Sequence, residues 1–334
     1  MTNPAPLVEI WRGPLAESLH SGHVVVCDHT GQIVFALGNP DQVILPRSSV
    51  KMIQALPLME SGAADAFGLG PSQLALACAS HQGAPMHTDP VAAWLSELGL
   101  TDDDMRCGAE VPRDRDTKHA MIRAEGSPCQ AHNNCSGKHC GFLTLNKHIG
   151  GGTEYVDPTH PVQIAARDAF ESVTDMDSPG FGIDGCSAPN FATTMYGLAR
   201  AMAYFAAADV DSSDKRESGA ARLRQAMIAY PHLVAGDGRA CTELMAAAKG
   251  QAAIKTGAEG VFTAILPEQK LGVAVKVTDG ATRASECTIA AVLVRLGILD
   301  ANDPAVIKRM TPRVHNWRGM DTGMIRPAAG LIDA

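Results

Sequence analysis

His23-Val-Val-Val-Cys-Asp28 is an apolar stretch that is followed, after the turn Asp28-His-Thr-Gly31, by a second one, Gln32-Ile-Val-Phe-Ala-Leu37. β-Branched and aromatic residues on both sides of a glycine-containing turn are typical of two antiparallel strands. A similar pair of runs, residues 260–266 and 271–277, occurs near the end of the chain. Because isolated hairpins are marginal in water, we expect both chain ends to join one antiparallel sheet.

The sequence between these ends is helical in pattern. For example, Ser187-Ala-Pro-Asn190 is predicted to begin a long alanine-rich helix over residues 191–208. The chain is therefore predicted to be an α+β protein with an antiparallel sheet built from both chain ends and an inserted helical lobe. Residues 1–45 and 240–334 are expected to form the lobe that contains the sheet. Residues 46–239 are expected to form the mainly helical lobe, with a catalytic cleft between the two.

The composition is that of a globular protein. The chain has 334 residues, of which 46% are hydrophobic, and a net charge of −8 without a basic cluster. Nucleic acid and anionic membrane surfaces are therefore not expected as partners. The N-terminus lacks the pattern of a secretory signal, and the apolar stretch 289–299 is too short to span a bilayer. With no export signal, the nine cysteines are expected to be thiols in the cytoplasm.

Ser48-Ser-Val-Lys51 follows an apolar run and precedes a helical pattern. A serine and a lysine three residues apart on the first turn of a helix share one face, which is a common arrangement for acyl-transfer nucleophiles. The spacing alone is weak, because Ser212-Ser-Asp-Lys215 has it too. That second motif lies in an acidic, polar stretch and is interpreted as a solvated helix start.

A second unusual segment, residues 132–140, holds two histidines, two cysteines and a lysine. So many potential ligands in a predicted loop indicate metal binding or catalysis, although buried cysteines in a polar loop are the alternative. Cys135 and Cys140 lack the usual zinc spacing, so a remote ligand would be needed. Asp184-Gly-Cys186 is a candidate for it.

Two further motifs carry weaker signals. Ser80 and His81 emerge from an apolar run, where a helix cap and a structural histidine are the plainer interpretations. Lys255-Thr-Gly leads into a strand and is similar to the third motif of β-lactamase sites, but the tripeptide is common.

Several fragments together resemble the Rhizobium-type L-asparaginases over roughly residues 8–299, and the most specific is Cys-Ser-Gly-Lys-His. The family is known for a fold similar to serine β-lactamases and glutaminases. The fragments are residues 43–54, 78–81, 107–110, 132–139, 184–189 and 255–260.

This resemblance implies two catalytic Ser–Lys pairs, Ser48 with Lys51 and Ser80 with Lys255. In the mechanism that we expect, a serine attacks the amide carbon of L-asparagine and a β-aspartyl ester forms. Lys51 acts as a base only when its amine is neutral, which burial and a second cation would favour. Which serine forms the ester stays open.

The resemblance also implies one zinc ion per subunit, held by Cys135, Lys138 and Cys186, and a homodimeric assembly. Asp184 would lie near the metal and the substrate.

Two more residues are candidate substrate contacts. Arg47 is a candidate for the substrate α-carboxylate, with a surface salt bridge as the alternative, and His81 is the other contact.

Two alternative functions remain open at this point. One is another serine amidohydrolase on the same fold, such as a glutaminase, a β-lactamase or a D-peptidase. Glutamine in particular differs from asparagine by a methylene worth only ~1–3 kcal/mol. The other is a non-catalytic zinc or thiol protein built around Cys135, Cys140 and Cys186.

Overall fold

The structure is a computed structural model that describes residues 3–332. Its strands are β1 (Ala5–Arg12), β2 (Leu15–Asp28), β3 (Ile33–Leu37), β4 (Val43–Ile44), β5 (Phe181–Ile183), β6 (Pro189–Phe191), β7 (Thr193–Thr194), β8 (Ala253–Thr256), β9 (Val261–Leu266), β10 (Leu271–Val277), β11 (Arg313–His315) and β12 (Asp321–Pro327).

The helices alternate with these strands and fill the middle of the chain. They are α1 (Lys51–Gln54), α2 (Leu56–Glu60), α3 (Ala63–Ala66), α4 (Pro71–Ala77), α5 (Pro85–Glu97), α6 (Arg115–Arg123), α7 (Ser136–Ile149), α8 (Pro161–Thr174), α9 (Met195–Ala207), α10 (Lys215–Ala229), α11 (Pro231–Val234), α12 (Ala240–Ala247), α13 (Thr282–Arg295), α14 (Pro304–Met310) and α15 (Ala329–Ile332). Short 3₁₀ helices span Arg47–Val50, Asp102–Asp104 and Gln130–His132.

Strands from both chain ends form one antiparallel sheet in the order β11-β12-β1-β2-β10-β9-β8, and β3 pairs with β2 beside this path. Both hairpins that the sequence predicts are present, as β2–β3 and β9–β10. The predicted fold class, an α+β protein whose sheet is built from both chain ends around a helical insertion, is confirmed.

All six residues of β9, the second strand from the β8 edge, are buried, so both faces of the sheet are covered there. The helices α9 and α13 both pack against β9 and β10. This double cover explains why β9 and β10 are continuous apolar runs in the sequence, without the alternation of a half-exposed strand.

The chain divides into two compact units. The sheet unit comprises the described parts of Met1–Ser49, Thr193–Ala207 and Glu243–Ala334. The helical unit comprises Val50–Ala192 and Ala208–Thr242. The first two and last two residues of the predicted sheet lobe lie outside the described residues.

Three segments differ from the expected boundaries. Residues 46–49 belong to the sheet unit and residues 240–242 to the helical unit, each the reverse of what the sequence predicts. The longest of the three, residues 193–207, is predicted in the helical lobe but belongs to the sheet unit. The reason is that α9 packs against β2 and β10 and follows β7, which pairs with β4. The predicted helix over 191–208 also begins later, at Met195, because residues 189–194 form short strands.

In the helical unit, α7 approaches the end of α4 closely at Gly137. A Cβ atom at this position would lie 2.3 Å from the carbonyl oxygen of Leu76. Only glycine permits this approach, which brings residues 135–138 to the end of α4.

We predict that Gly137→Ala lowers the free energy of unfolding by about 1–3 kcal/mol, because the added methyl group would overlap the α4 backbone. Gly141→Ala on the same helix is the matched control, since its Cβ would meet Ala77 Cβ at 3.4 Å, an ordinary contact. There we expect no loss, or a gain of up to about 1 kcal/mol from helix propensity. Urea unfolding of both variants measures the difference, and equal stabilities would contradict the close approach.

Candidate active site

Ser48 lies on the 3₁₀ helix Arg47–Val50, at the end of the sheet unit. Arg47, directly before it, has φ +55°, a backbone region that non-glycine residues rarely adopt. Its neighbour Ser49 is buried and donates its hydroxyl hydrogen to the Pro46 carbonyl at 2.8 Å. Backbone strain of this kind clusters at functional sites. The expected α-helix begins only at Lys51, so that Ser48 precedes its first turn.

Lys255 lies in the same unit, on the edge strand β8. Only 1% of this residue is exposed, and its Nζ donates to the Thr256 carbonyl at 3.0 Å. In the register of the sheet, Lys255 is directly opposite Thr263 on β9, and their side chains therefore share one face.

Lys51 is the first residue of α1 in the helical unit and is also 1% exposed. Its Nζ donates to the carbonyl of Ala79, which precedes Ser80, and to the carbonyl of Asn134 at 3.4 Å. The amine thus lies between the segment that carries Ser80 and the segment that leads into Cys135. Ser80 is itself 5% exposed.

His81 is fully buried, and both of its ring nitrogens have partners. Nδ1 accepts from the Gly83 N–H at 3.2 Å, which leaves the proton on Nε2. Nε2 then donates to the Ser136 hydroxyl at 2.8 Å, and that hydroxyl donates to the Ala131 carbonyl. Burial, followed by nearby cations including Lys51, holds the pKa of His81 well below its usual value. A neutral ring in this network favours a role in positioning Ser80, while contact with substrate stays a prediction.

Cys135, Lys138 and Cys186 meet in the helical unit, and each is 3% exposed. Lys138 Nζ donates to Cys186 Sγ at 3.0 Å. The sequence predicts a loop over residues 132–140, but α7 begins at Ser136 and carries Lys138 on its first turn.

The charges of this cluster are coupled. A hydrogen bond from the Cys135 thiol, together with the ammonium of Lys138, holds the pKa of Cys186 well below its usual value despite burial. The same hydrogen bond and burial raise the pKa of Cys135. Burial alone would lower the pKa of Lys138, but the charge on Cys186 outweighs it and raises that pKa. Without a metal, the cluster is therefore a thiolate–ammonium pair with a neighbouring thiol.

Among residues 3–332, no group of three or more His, Cys, Asp or Glu side chains could hold a metal ion. A metal site in this part of the chain would therefore need a different kind of ligand, and Lys138 is one. Two sulfurs and an amine are soft and intermediate donors of the kind that zinc accepts once they have lost their protons. The donor set thus fits zinc.

Asp184 and Cys186 lie in the turn between β5 and β6, and not before a helix as the sequence suggested. The Asp184 N–H donates to the Ala188 carbonyl at 2.9 Å, and its Oδ1 accepts from the Gly185 N–H. Ser187 has φ +69°, which lets the turn close around the buried Cys186. The Asp184 carboxylate favours the charged form of Lys138, which indicates that the two are near each other.

The predicted site residues divide between the two units. Arg47, Ser48 and Lys255 belong to the sheet unit, and the helical unit contains Lys51, Ser80, His81, Cys135, Lys138, Asp184 and Cys186. Each expected Ser–Lys pair has one member in each unit, and the pairing remains a prediction.

Glu110 holds part of this site, and the sequence did not indicate it. Glu110 accepts hydrogen bonds from the N–H and the side-chain amide of Asn134, at 3.0 and 2.7 Å, and pairs with Arg113. It therefore fixes the carbonyl that Lys51 contacts. The sequence around residues 107–110 carries no signal that Glu110 holds Asn134, because the contact joins segments 24 residues apart.

The burial of two stacked histidines predicts how stability depends on pH. His81 and His87 stack at 4.8 Å, and burial lowers the pKa of both, so that the folded state keeps them neutral. Lys51, His132 and Arg113 face His81, while His232, Asp237 and Asp114 face His87. The unfolded chain takes up protons below about pH 6.5 and the folded chain does not, so stability is present above that pH and lost below it. We expect the free energy of unfolding to fall with a slope of up to about 1.4 kcal/mol per pH unit for each histidine.

Urea unfolding between pH 7.5 and 5 measures this slope. His87→Phe keeps a flat ring beside His81 but takes up no proton. The pH slope of its free energy of unfolding should therefore be smaller by the contribution of one histidine. His119→Phe, at an exposed position of α6, is the control and should keep the original slope. An unchanged slope in His87→Phe would contradict the assignment.

Three solved structures are similar to the chain at low sequence identity. Mglu in its tris and glutamate form has a TM-score of 0.47 and 12% identity, with 94% of this chain and 68% of that chain covered. A putative β-lactamase from Bacteroides dorei has a TM-score of 0.41 and 11% identity, with 77% and 84% covered. A class C β-lactamase from Rhodobacter sphaeroides has a TM-score of 0.39 and 14% identity, with 79% and 91% covered.

A search of curated proteins gives no match. No helix of the described residues has the length and apolar character needed to cross a membrane. The model of the family "L-asparaginase II" matches residues 8–327, nearly the whole chain. The chain therefore belongs to the L-asparaginase II family, hydrolases that act on the amide of asparagine.

Proposed function

We propose that this chain hydrolyses L-asparagine to L-aspartate and ammonia through a serine nucleophile activated by a lysine. The observation that carries the proposal is the burial of Lys51 and Lys255, each 1% exposed. Lysine is almost never fully buried without a specific reason. Accepting the proton of a serine hydroxyl is a reason of this kind.

In the proposed reaction, Ser48 Oγ attacks the amide carbon of the substrate while Lys51 takes the hydroxyl proton. The tetrahedral intermediate then collapses: the C–N bond breaks, and the leaving nitrogen receives that proton and departs as ammonia. A β-aspartyl ester on the serine remains, and water hydrolyses it with the amine again acting as base. The same steps can be written with Ser80 and Lys255, and labelling of the ester separates the two versions.

We further propose that Cys135, Lys138 and Cys186 hold one zinc ion. The support is the convergence of three buried donors, with Lys138 Nζ 3.0 Å from Cys186 Sγ. When bound, zinc would orient the substrate or hold the local structure. Asp184, in the same turn as Cys186, would then lie beside the metal and help to place the substrate amine.

Homodimer formation and a cytoplasmic location belong to the same proposal. Exposed apolar side chains in the sheet unit, such as Leu15 (71% exposed) and Leu19 (56% exposed), support self-association. The nine cysteines, all within residues 3–332, are thiols that form no disulfide, which suits a reducing compartment. Light scattering on a size-exclusion column tests the assembly, and a monomer would contradict it.

We predict that Ser48→Ala lowers the rate of ammonia release from L-asparagine by roughly 10⁴–10⁶-fold if Ser48 forms the ester, since a serine nucleophile has no substitute in the reaction. Ser80→Ala is tested beside it. Quenching the reaction with acid and mapping the added β-aspartyl group by peptide mass spectrometry shows which serine carries the ester.

Ser212→Ala is the matched control. It removes the serine hydroxyl of the second Ser-x-x-Lys motif, which donates to Glu217 at 2.7 Å, and it should keep the wild-type rate. A wild-type protein that releases ammonia from L-glutamine faster than from L-asparagine would make the substrate assignment wrong. Full activity in both Ser48→Ala and Ser80→Ala would refute the serine mechanism.

We predict one zinc ion per chain by elemental analysis, and a strong loss of zinc in Cys186→Ala and Lys138→Ala because each removes one of three donors. Cys107→Ala is the control: this thiol is also buried nearby but makes contacts to Gln130, and its removal should leave the zinc content unchanged. Cobalt loaded in place of zinc should show a thiolate charge-transfer band that Cys186→Ala loses. Wild-type protein without stoichiometric metal would contradict the zinc proposal while leaving the serine mechanism standing.

A further inference from the structure

Thr263, in the middle of β9, is completely buried and connects two parts of the sheet unit. Its hydroxyl lies 3.2 Å from the carbonyl oxygen of Ser49 and 3.3 Å from the carbonyl oxygen of Lys255. A threonine hydroxyl has one hydrogen, so it donates to both carbonyls as a shared bond or to each in turn. The Thr263 side chain therefore contacts both the residue after Ser48 and Lys255 itself.

The turn that carries Ser48 also packs against the segment after Lys255. A Cβ atom at Gly257 would lie 2.7 Å from the Pro46 carbonyl oxygen and 3.3 Å from Ser49 Cβ. The turn is closed on itself by the Ser49 hydroxyl and N–H, which both donate to Pro46. The close approach at Gly257 sets the distance between the two segments, but glycine supplies no directional contact.

The turn needs such a contact because its backbone is strained. Arg47 has φ +55°, and a strained conformation persists only where the surroundings hold it. The hydrogen bond from Thr263 is made to the carbonyl of Ser49, two residues after Arg47. It comes from β9, a strand that is buried on both faces and paired on both sides.

We propose that Thr263 is a positioning residue, whose hydroxyl fixes the Ser48 turn relative to the strand that carries Lys255. The inference rests on the proposed serine mechanism. Thr263 touches no reacting atom: it acts through the backbone of Ser49 and of Lys255. A small displacement of a nucleophile is costly, since a misplacement of about 1 Å can lower a rate by about 10²-fold.

The test compares Thr263→Val, which has nearly the same shape without the hydroxyl, with Thr263→Ser, which keeps the hydroxyl. We expect Thr263→Val to lower kcat for L-asparagine by about 10–100-fold with KM changed little, because the substrate contacts remain. Thr263→Ser should restore kcat to near the wild-type value.

Thr288→Val is the matched control. Thr288 is also fully buried in the sheet unit, but its hydroxyl donates to Ala284 within α13, at 2.8 Å. Urea midpoints should fall in both valine variants, whereas kcat should fall only in Thr263→Val. A folded Thr263→Val variant with wild-type kcat, or a Thr263→Ser variant as slow as Thr263→Val, overturns the inference.

A second readout does not depend on the substrate. A fluorophosphonate acylates activated serines, and peptide mass spectrometry reports how fast it labels Ser48 in each variant. About tenfold slower labelling in Thr263→Val, restored in Thr263→Ser, supports the inference even if asparagine proves not to be the substrate. Ser48 that is unreactive in the wild-type protein, or equally reactive in Thr263→Val, overturns it.

Discussion

A buried lysine amine must find hydrogen-bond acceptors inside the protein, and the helical unit is arranged around this requirement for Lys51. Its two carbonyl acceptors, at Ala79 and Asn134, come from segments more than 50 residues apart in the chain that meet where α7 contacts α4. Glycine at position 137 makes that meeting possible, and Glu110 holds Asn134 in place. These two supports hold the segments that supply the acceptors, and Ser80 and Cys135 directly follow those acceptors in the chain.

The two buried lysines of the helical unit have different partners and, in our proposal, different roles. Lys51 meets carbonyl oxygens, which are neutral acceptors and can hold an amine in either protonation state. Lys138 meets the sulfur of Cys186, whose low pKa makes it an anion that stabilises the ammonium. A lysine beside neutral acceptors suits a base. A lysine beside a thiolate suits an ion pair that a metal ion can replace.

In the sheet unit the constraint is one of backbone geometry. The residue before Ser48 has a strained conformation, and the turn is held by the Ser49–Pro46 hydrogen bond, the close approach at Gly257 and the hydroxyl of Thr263. The last of these supports comes from β9, a strand that is buried on both faces. The sheet unit thus holds the backbone around Ser48, while the helical unit contains the buried cluster of titratable groups.

The sequence alone determined the antiparallel sheet, both hairpins and the motifs around Ser48, Ser80, Cys135 and Lys255, because apolar runs, turn residues and local spacing are encoded over short stretches. It did not determine that α9 packs on the sheet, that Lys138 stands on a helix, or that Cys186 lies in a strand turn. Nor did it indicate Glu110, Gly137 or Thr263. These features depend on which distant segments meet. A short stretch of sequence does not contain the groups that pack against its own carbonyls and amines in the folded chain. Tertiary contact therefore decided the burial and the hydrogen-bond partners of the side chains whose chemical types the sequence had already specified.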